Sequence, residues 1–511
     1  MLLPKQPRAL IPGDYWESMD EQQSVVGVAP VENVSGQEAA LATLAWLIPT
    51  IAMGITGLIR LSWPGYWGDE LATWGFAATP WDRALPVLGT FDAVIGPYYV
   101  LIHGWSEIFG TSEFALRVPS VLAMTAAAGL VAATGTRLAG PRTGLIAGLI
   151  FTLIPATSRY AQEARPYAMT VFAATLATYL LIRVLDRPGL PRYLAYTLSL
   201  WLLGLMHVVA LLLVAAHGLV ILSMRRKFFR GWLVAAVAGA LPAVPLLVVG
   251  NTQKNQISWV PDADLARVAQ LPEALFGFTV LGGAVLALGL MSLGLDRRSI
   301  VFTTWALVPA VGLFLAAQFT PLWLPRYLLF TIPAWALLAA LSLGRATVFR
   351  ALAAVGLLAL IALPTHIAIR KPDGHTQATR AVADVLAANM LPGDGIVYGP
   401  NSRGEGRVGR DLVARYVRPD RRPQDLLMVR PPRTDGQIMA AECVDIAKCL
   451  GETPRLWLLR IGSTTNPLTN LGAARERALR GSYTVERTWQ LRGLTLSLLV
   501  READDARPAP R

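Results

Sequence analysis

Apolar and polar positions fall along this chain in long blocks rather than in the short periods of a soluble fold. Between residues 39 and 369, mostly apolar runs occupy 39–59, 118–136, 143–158, 167–182, 193–206, 208–224, 231–250, 274–295, 299–319, 328–344 and 351–369, separated by short polar connections. At a rise of about 1.5 Å per residue, about 20 apolar residues cross a hydrocarbon layer. The pattern predicts a mainly α protein: a polytopic helical membrane domain over 39–370. One further run, 98–109, is short and holds His103 and Glu107; it reads as an interfacial helix or a twelfth crossing. His217 and His366 lie inside apolar runs without polar neighbours in sequence and read as packing residues.

The pattern changes after residue 370, where Arg, Asp, Gly and Pro become dense. Helical periodicity over 374–390 has Thr376 as its candidate N-cap. A turn at Pro392-Gly393-Asp394-Gly395 leads into a strand at 396–398, another strand falls at 456–459, and 483–500 reads as a hairpin. Residues 371–511 are therefore expected to form a small α/β domain. Residues 1–38 carry several acids and no apolar core, which excludes a signal peptide and reads as a disordered tail.

Charge sets the expected orientation. Arg137 and Arg142; Arg183, Arg187 and Arg192; Arg225, Arg226, Lys227 and Arg230; Arg297 and Arg298; and Arg345 and Arg350 fall in short connections opposed only by Asp186 and Asp296. Basic loops favour the cytoplasm. All five connections share that side, with the N-terminus, if 98–109 does not cross and 193–224 folds back near His207; a single helix of that length would be about 48 Å long. About eleven spans result, in a multi-pass protein of the plasma (inner) membrane with a cytoplasmic N-terminus and an extracytoplasmic C-terminal domain. The loops 60–117, 158–166, 251–273 and 320–327 then share the outer face.

Composition agrees: 54% of the 511 residues are hydrophobic and 16% charged, against about 25% charged in soluble domains. The net charge of +12 is dispersed over loops and does not form a nucleic-acid-binding stripe. Gly404-Glu405-Gly406-Arg407-Val408-Gly409 matches a dinucleotide fingerprint, but it stands too far beyond its strand and is read as unrelated to nucleotides. Cys443 and Cys449 are the only cysteines. An oxidising compartment favours a disulfide between them, with two buried thiols as the alternative.

The candidate chemistry gathers in the outer loops. Trp63-Pro64-Gly65-Tyr66-Trp67-Gly68-Asp69-Glu70 places two carboxylates among aromatics directly after the first run; most such pairs are merely solvated. Ser158-Arg159-Tyr160-Ala161-Gln162-Glu163-Ala164-Arg165-Pro166-Tyr167 suits a phosphate or metal, or equally a headgroup-level ion-pair cluster. Arg326 lies between aromatics at the mouth of a span, Lys254 lies near Gln256 and Trp259, and His207 sits where a polar group in an apolar run is often functional.

Trp67-Gly68-Asp69-Glu70, Pro97-Tyr98-Tyr99 with His103, Glu113-Phe114-Ala115-Leu116-Arg117-Val118-Pro119-Ser120, Gln162-Glu163-Ala164-Arg165-Pro166-Tyr167 and Pro325-Arg326-Tyr327 occur in this order. Together they resemble the multispan (GT-C type) polyprenyl-phosphate-sugar glycosyltransferases, the class of the protein O-mannosyltransferases and aminoarabinose transferases. The likeness covers roughly residues 40–370; the C-terminal domain departs from the better-known members. The resemblance implies an outer-face cavity, a sugar carried on a lipid monophosphate, and an acid of the first loop as base.

Glycosyl transfer needs a base for the acceptor hydroxyl and stabilisation of a leaving phosphate. Asp69 is assigned as base and Glu70 as its catalytic neighbour. Glu163, Arg165, Arg326 and Tyr327 are assigned to the donor phosphate or sugar, with His207, Lys254 and His103 as secondary contacts. No cofactor is required; a divalent cation, with Asp69 and Glu163 as its ligands, stays open. The expected partners are a polyprenyl-phosphate sugar, mannosyl in the simplest case, the bilayer, and a protein, lipid or glycan acceptor. A transporter or lipid flippase is the alternative, but the charges collect at one face rather than at the midplane.

Overall fold

The computed structural model describes residues 36–502. The disordered-tail reading lies outside these residues except at its end, where positions 36–38 already belong to helix α1, Gly36–Leu58. Short helices follow, among them α2, Gly68–Ala77, and α3, Gly96–Phe109. At 14 residues, α3 is about 21 Å long and too short to cross.

Helix α4, Glu113–Ala139, begins on Ser112, whose side chain accepts the Ala115 N–H, and ends at Gly140 in a positive-φ conformation. Pro141 opens α5, Pro141–Leu153, where its missing N–H is harmless. The α4–α5 crossing is tight: a Cβ on Gly135 would lie 2.9 Å from Gly144 Cα. Small residues let backbones approach in this way inside a membrane. The expected span 143–158 does not run through. Helix α5 stops at Leu153 and α6, Pro155–Ala161, continues at a bend of 67°. Proline cannot complete the ladder at that point, so the chain turns inward. After residues 162–166, α7 spans Tyr167–Asp186.

The chain breaks again at His207, between helices Leu190–Met206 and Leu212–Met224. Further apolar helices end in α8, Val348–Ala368. By length and composition six helices of the described residues can cross a membrane, or seven if the bent α5–α6 pair is one span; the shorter apolar helices Val208–Met224, Thr279–Leu290 and Ile300–Ala316 accompany them. The chain is a multi-pass membrane protein, and eleven crossings remain the sequence expectation. A continuous core of Met124, Val131, Phe151, Val171, Leu200, Trp305 and Leu337 holds the bundle. His217 is not in apolar packing. It bonds Thr178 Oγ1 at 3.1 Å and Tyr196 Oη at 2.9 Å, a polar knot in the bundle interior.

Beyond Thr379 the chain forms an α/β layer. Strands β1 (Gly395–Tyr398), β2 (Gln424–Asp425), β3 (Met428–Arg430), β4 (Ala441–Glu442), β5 (Arg455–Ile461), β6 (Tyr483–Leu491) and β7 (Leu494–Arg501) give a five-stranded sheet in the order β2-β1-β5-β7-β6 and a small β3-β4 pair. The period-2 pattern of β5 splits its side chains: Trp457 and Leu459 face the helices that meet the membrane domain, Leu456 and Leu458 the opposite core. The helix expected at 374–390 starts at Thr379, and Thr376 does not cap it, because its backbone takes a left-handed φ of 76°. Cys443 and Cys449 are joined by a disulfide.

Candidate active site

Asp69 and Glu70 are the first residues of α2 with side chains, following a Trp67 in extended conformation. A helix start favours carboxylates, but a helix also points neighbouring residues about 100° apart. The two acids therefore part company. Asp69 is part-exposed, with Oδ2 3.7 Å from Arg326 Nη2. Glu70 is fully buried. It takes Arg117 in a two-pronged pair, Nε to Oε1 at 2.8 Å and Nη2 to Oε2 at 2.7 Å, and accepts the Ala164 N–H at 2.8 Å. Burial pushes its carboxyl up, but the Arg117 guanidinium prevails and holds it well below the usual carboxylate range. Arg117 also donates to the carbonyls of Leu61 and Pro64. Glu70 thus ties the loop after α1 to the 162–166 loop, and its geometry is that of a positioning group.

A residue that the sequence did not single out completes this node. His375 is buried, its Nδ1 3.3 Å from Arg117 Nη2 and 3.5 Å from Glu70 Oε2. Burial, with Arg159 and Arg117 nearby, keeps the imidazole well below its ordinary pKa and so neutral.

A cavity of about 370 Å³ has walls that include Asp92, Ile95, Arg165, His207, Lys254 and Tyr327, while Asp69, Glu163 and Arg326 stand outside its lining. Its volume is that of a small-ligand site. Arg165 is nearly buried and donates from Nη1 to Tyr99 Oη at 2.9 Å; Tyr99 donates in turn to Asp92 Oδ2 at 2.9 Å. Asp92 is the second residue that sequence reasoning missed. It stands in a left-handed turn, φ 49°, just ahead of the Pro97-Tyr98-Tyr99 motif, and only the fold brings it to Arg165. Burial raises its pKa against the pull of Arg165. The His207 ring lies against Tyr327, with centroids 4.6 Å apart, and Arg326 faces Trp259 at 5.8 Å.

Glu163 is buried and pairs with Arg159. Burial, reinforced by the negative charges of Glu70 and Asp69, outweighs that partner and pushes its pKa up to about 6. Several buried polar atoms here have no hydrogen-bond partner: Arg165 Nε, Arg326 Nε, Glu163 Oε1, His207 Nδ1 and the Tyr98 hydroxyl. Native interiors leave few such atoms, so their clustering marks unspent bonding capacity toward a ligand.

His103, whose Nδ1 also lacks a hydrogen-bond partner, does not line the cavity. It is buried beneath Trp81, centroids 3.7 Å apart, and Nε2 bonds the Thr79 carbonyl at 2.8 Å. It packs the outer helices together because its ring faces α2 and its C-terminal turn, not the cavity. As for a divalent cation, no group of three or more His, Cys, Asp and Glu side chains converges among the described residues. Asp69 and Glu163 lack a third ligand, and Arg159 already occupies Glu163.

The C-terminal layer closes over α2. Gly68 N–H donates to Gln377 Oε1 at 2.7 Å, the Tyr66 N–H to Tyr416 Oη at 2.7 Å, and Thr379 Oγ1 to the Tyr66 carbonyl at 2.9 Å. Helix α9, Glu405–Tyr416, which carries the glycine motif, packs on α2, with Val408 Cγ2 3.3 Å from where a Cβ on Gly68 would stand. Its Gly409 is required by Tyr398, whose ring would meet an added Cβ at 2.3 Å. The glycines serve close packing.

The family of dolichyl-phosphate-mannose-protein mannosyltransferases matches residues 97–248. No curated protein matches the chain in sequence. Among solved structures, ArnT from Cupriavidus metallidurans in the apo state superposes with a TM-score of 0.58 at 14% identity, covering 89% of this chain and 98% of that one. The same protein bound to undecaprenyl phosphate gives 0.55 at 14% identity, covering 91% and 100%. Such coverage is too great for the membrane domain alone, so the shared fold extends into the C-terminal layer.

Proposed function

From a multi-pass membrane protein that has the fold of the GT-C glycosyltransferases and resembles those using polyprenyl-phosphate sugars, we propose an enzyme that moves a sugar from such a donor to an acceptor hydroxyl, with inversion, at the outer face of the plasma membrane. One observation carries the reading: Arg165, His207, Lys254 and Tyr327 line one cavity, with Arg165 Nε and His207 Nδ1 unpartnered, and Arg326, whose Nε is unpartnered too, stands 3.7 Å from Asp69. A cationic, water-poor wall beside a carboxylate is what a phosphate leaving group and an attacking hydroxyl require together.

In this mechanism Asp69 accepts the proton of the acceptor hydroxyl as its oxygen bonds the anomeric carbon. The bond from that carbon to the phosphate oxygen breaks, and the electron pair leaves with the polyprenyl phosphate. Arg165, Arg326 and Lys254 hold the charge that develops there; Tyr327 and His207 flank the sugar. Glu70, through Arg117 and the Ala164 N–H, fixes the two loops that carry these groups. A single displacement inverts configuration. Mannose is the sugar proposed, on the strength of the family match over 97–248; ArnT shares the fold, so other glycosyl donors belong in the test. The acceptor is a protein, lipid or glycan. The proposal places the boundary between membrane and extracytoplasmic domains near residue 370, with the N-terminus cytoplasmic.

Incubation of the purified protein with a panel of polyprenyl-phosphate sugars and candidate acceptors, with detection of released lipid phosphate, tests this. Release with one donor, abolished by Asp69→Asn, is expected. No release from any donor, or full release by the variant, removes the assignment.

A further inference from the structure

A second cavity, of about 670 Å³, lies between the end of α1, the end of α5 and α8, and shares no lining residue with the first. Its apolar wall includes Ile59, Leu363 and Ile367, which are half exposed on the outside of the bundle, where acyl chains lie. Its polar rim is Arg60, His366 and Arg370, and no carboxylate lines it.

The two guanidiniums are held differently. Arg370 is buried; Nη2 donates to the Thr56 carbonyl at 2.5 Å and to Ser158 Oγ at 2.7 Å, and Nη1 to the His366 carbonyl at 2.7 Å. Its Nε has no partner. His366, read from sequence as a packing residue, instead bonds the Leu153 carbonyl through Nε2 at 3.0 Å. Arg60 is exposed, stacks 4.1 Å from the Trp63 ring and has no carboxylate partner among the described residues. Its backbone is left-handed, φ 56°, a conformation non-glycine residues seldom take and one that points to function where it persists.

We propose that this crevice binds an anionic glycerophospholipid of the surrounding bilayer, its phosphate at Arg60 and the Arg370 edge and its chains along Ile59, Leu363 and Ile367. A guanidinium pair with no carboxylate beside it matches the charge and geometry of a phosphate headgroup. Arg370 also bonds Ser158, next to the Arg159 that pairs with Glu163. A lipid seated there buttresses the catalytic loop from behind. Binding stands apart from catalysis and does not depend on the proposed function.

The test uses the purified full-length chain in non-ionic detergent, titrated with phosphatidylglycerol, phosphatidylcholine, undecaprenyl phosphate or inorganic phosphate, with the thermal midpoint and the lipid retained in native mass spectra as readouts. Phosphatidylglycerol should raise the midpoint and be retained one to one, and Arg60→Gln, an exposed change, should weaken it roughly fivefold. Arg370→Lys, which keeps the charge, should retain binding better than Arg370→Gln. Equal retention of phosphatidylcholine, unchanged retention in Arg60→Gln, an equal shift by free phosphate, or displacement by equimolar undecaprenyl phosphate would each overturn the proposal.

Discussion

Residues 69 and 70 are both acids on one helix, yet they belong to opposite regimes. Asp69 stands part-exposed, with one loose cationic neighbour at 3.7 Å. Glu70 is sealed behind it, with a two-pronged guanidinium, a backbone N–H and an imidazole around it. The front region has polar atoms to spare, whereas Glu70 and Arg117 behind it are satisfied on every side. A buried ion pair adds little net stability but is expensive to break. The back region therefore holds shape, and the front region is free to react.

Breaking that contrast has its largest effect at Glu70. Glu70→Ala leaves Arg117 charged and unpaired in the interior, a loss of about 3–5 kcal/mol; the yield of monodisperse protein and its thermal midpoint should collapse together. Asp69→Asn should lower turnover by about 10²–10⁴-fold while stability moves by no more than about 0.5 kcal/mol. If both variants lose fold, or both keep it and lose rate, the division between front and back is wrong.

Glu163 sharpens the comparison through pH. Its folded-state pKa of about 6 lies above the ordinary 4.5, so the folded protein binds this proton more tightly than the unfolded chain. The stability it contributes is fully present below pH 4.5 and is lost as pH rises to about 6, some ~2 kcal/mol in all. Stability curves of wild type and Glu163→Gln should converge at acid pH and separate above it, with the wild type the lower; parallel curves would deny the shift. A comparable effect is expected from Tyr99→Phe, which cuts the Asp92–Tyr99–Arg165 relay. Its hydroxyl makes both bonds of the relay, each worth about 1 kcal/mol, so catalytic efficiency should fall roughly 30-fold with fold intact.

The sequence was most informative where chemistry and motif coincide. Asp69, Arg165 and Arg326 sit between apolar runs with aromatic neighbours, and the fold brings Arg326 to within 3.7 Å of Asp69. Composition alone separates the helical part from the α/β part. What pattern could not reveal was pairing across distance. Arg117 stood inside a quoted motif, but its partner Glu70 lies 47 residues away, and nothing local distinguishes a reactive acid from a buried one. His375 and Asp92 lacked even a motif; a lone His after a span and a lone Asp in a turn carry no period. His103 misled for the converse reason, since a histidine among aromatics reads alike whether it lines a pocket or supports one. The bend at Pro155 was not legible either, because Pro49, Pro309 and Pro364 also fall inside apolar runs and their helices continue through them.

Gln377, Tyr416 and Thr379 reach back across more than 300 positions to grip Tyr66 and Gly68. The chain's final third is thus no detachable accessory, and a graft that exchanged it for a relative's would disturb chemistry it never touches. The layer and the turn before Asp69 are therefore one mechanical unit, and a change in either is felt by the other.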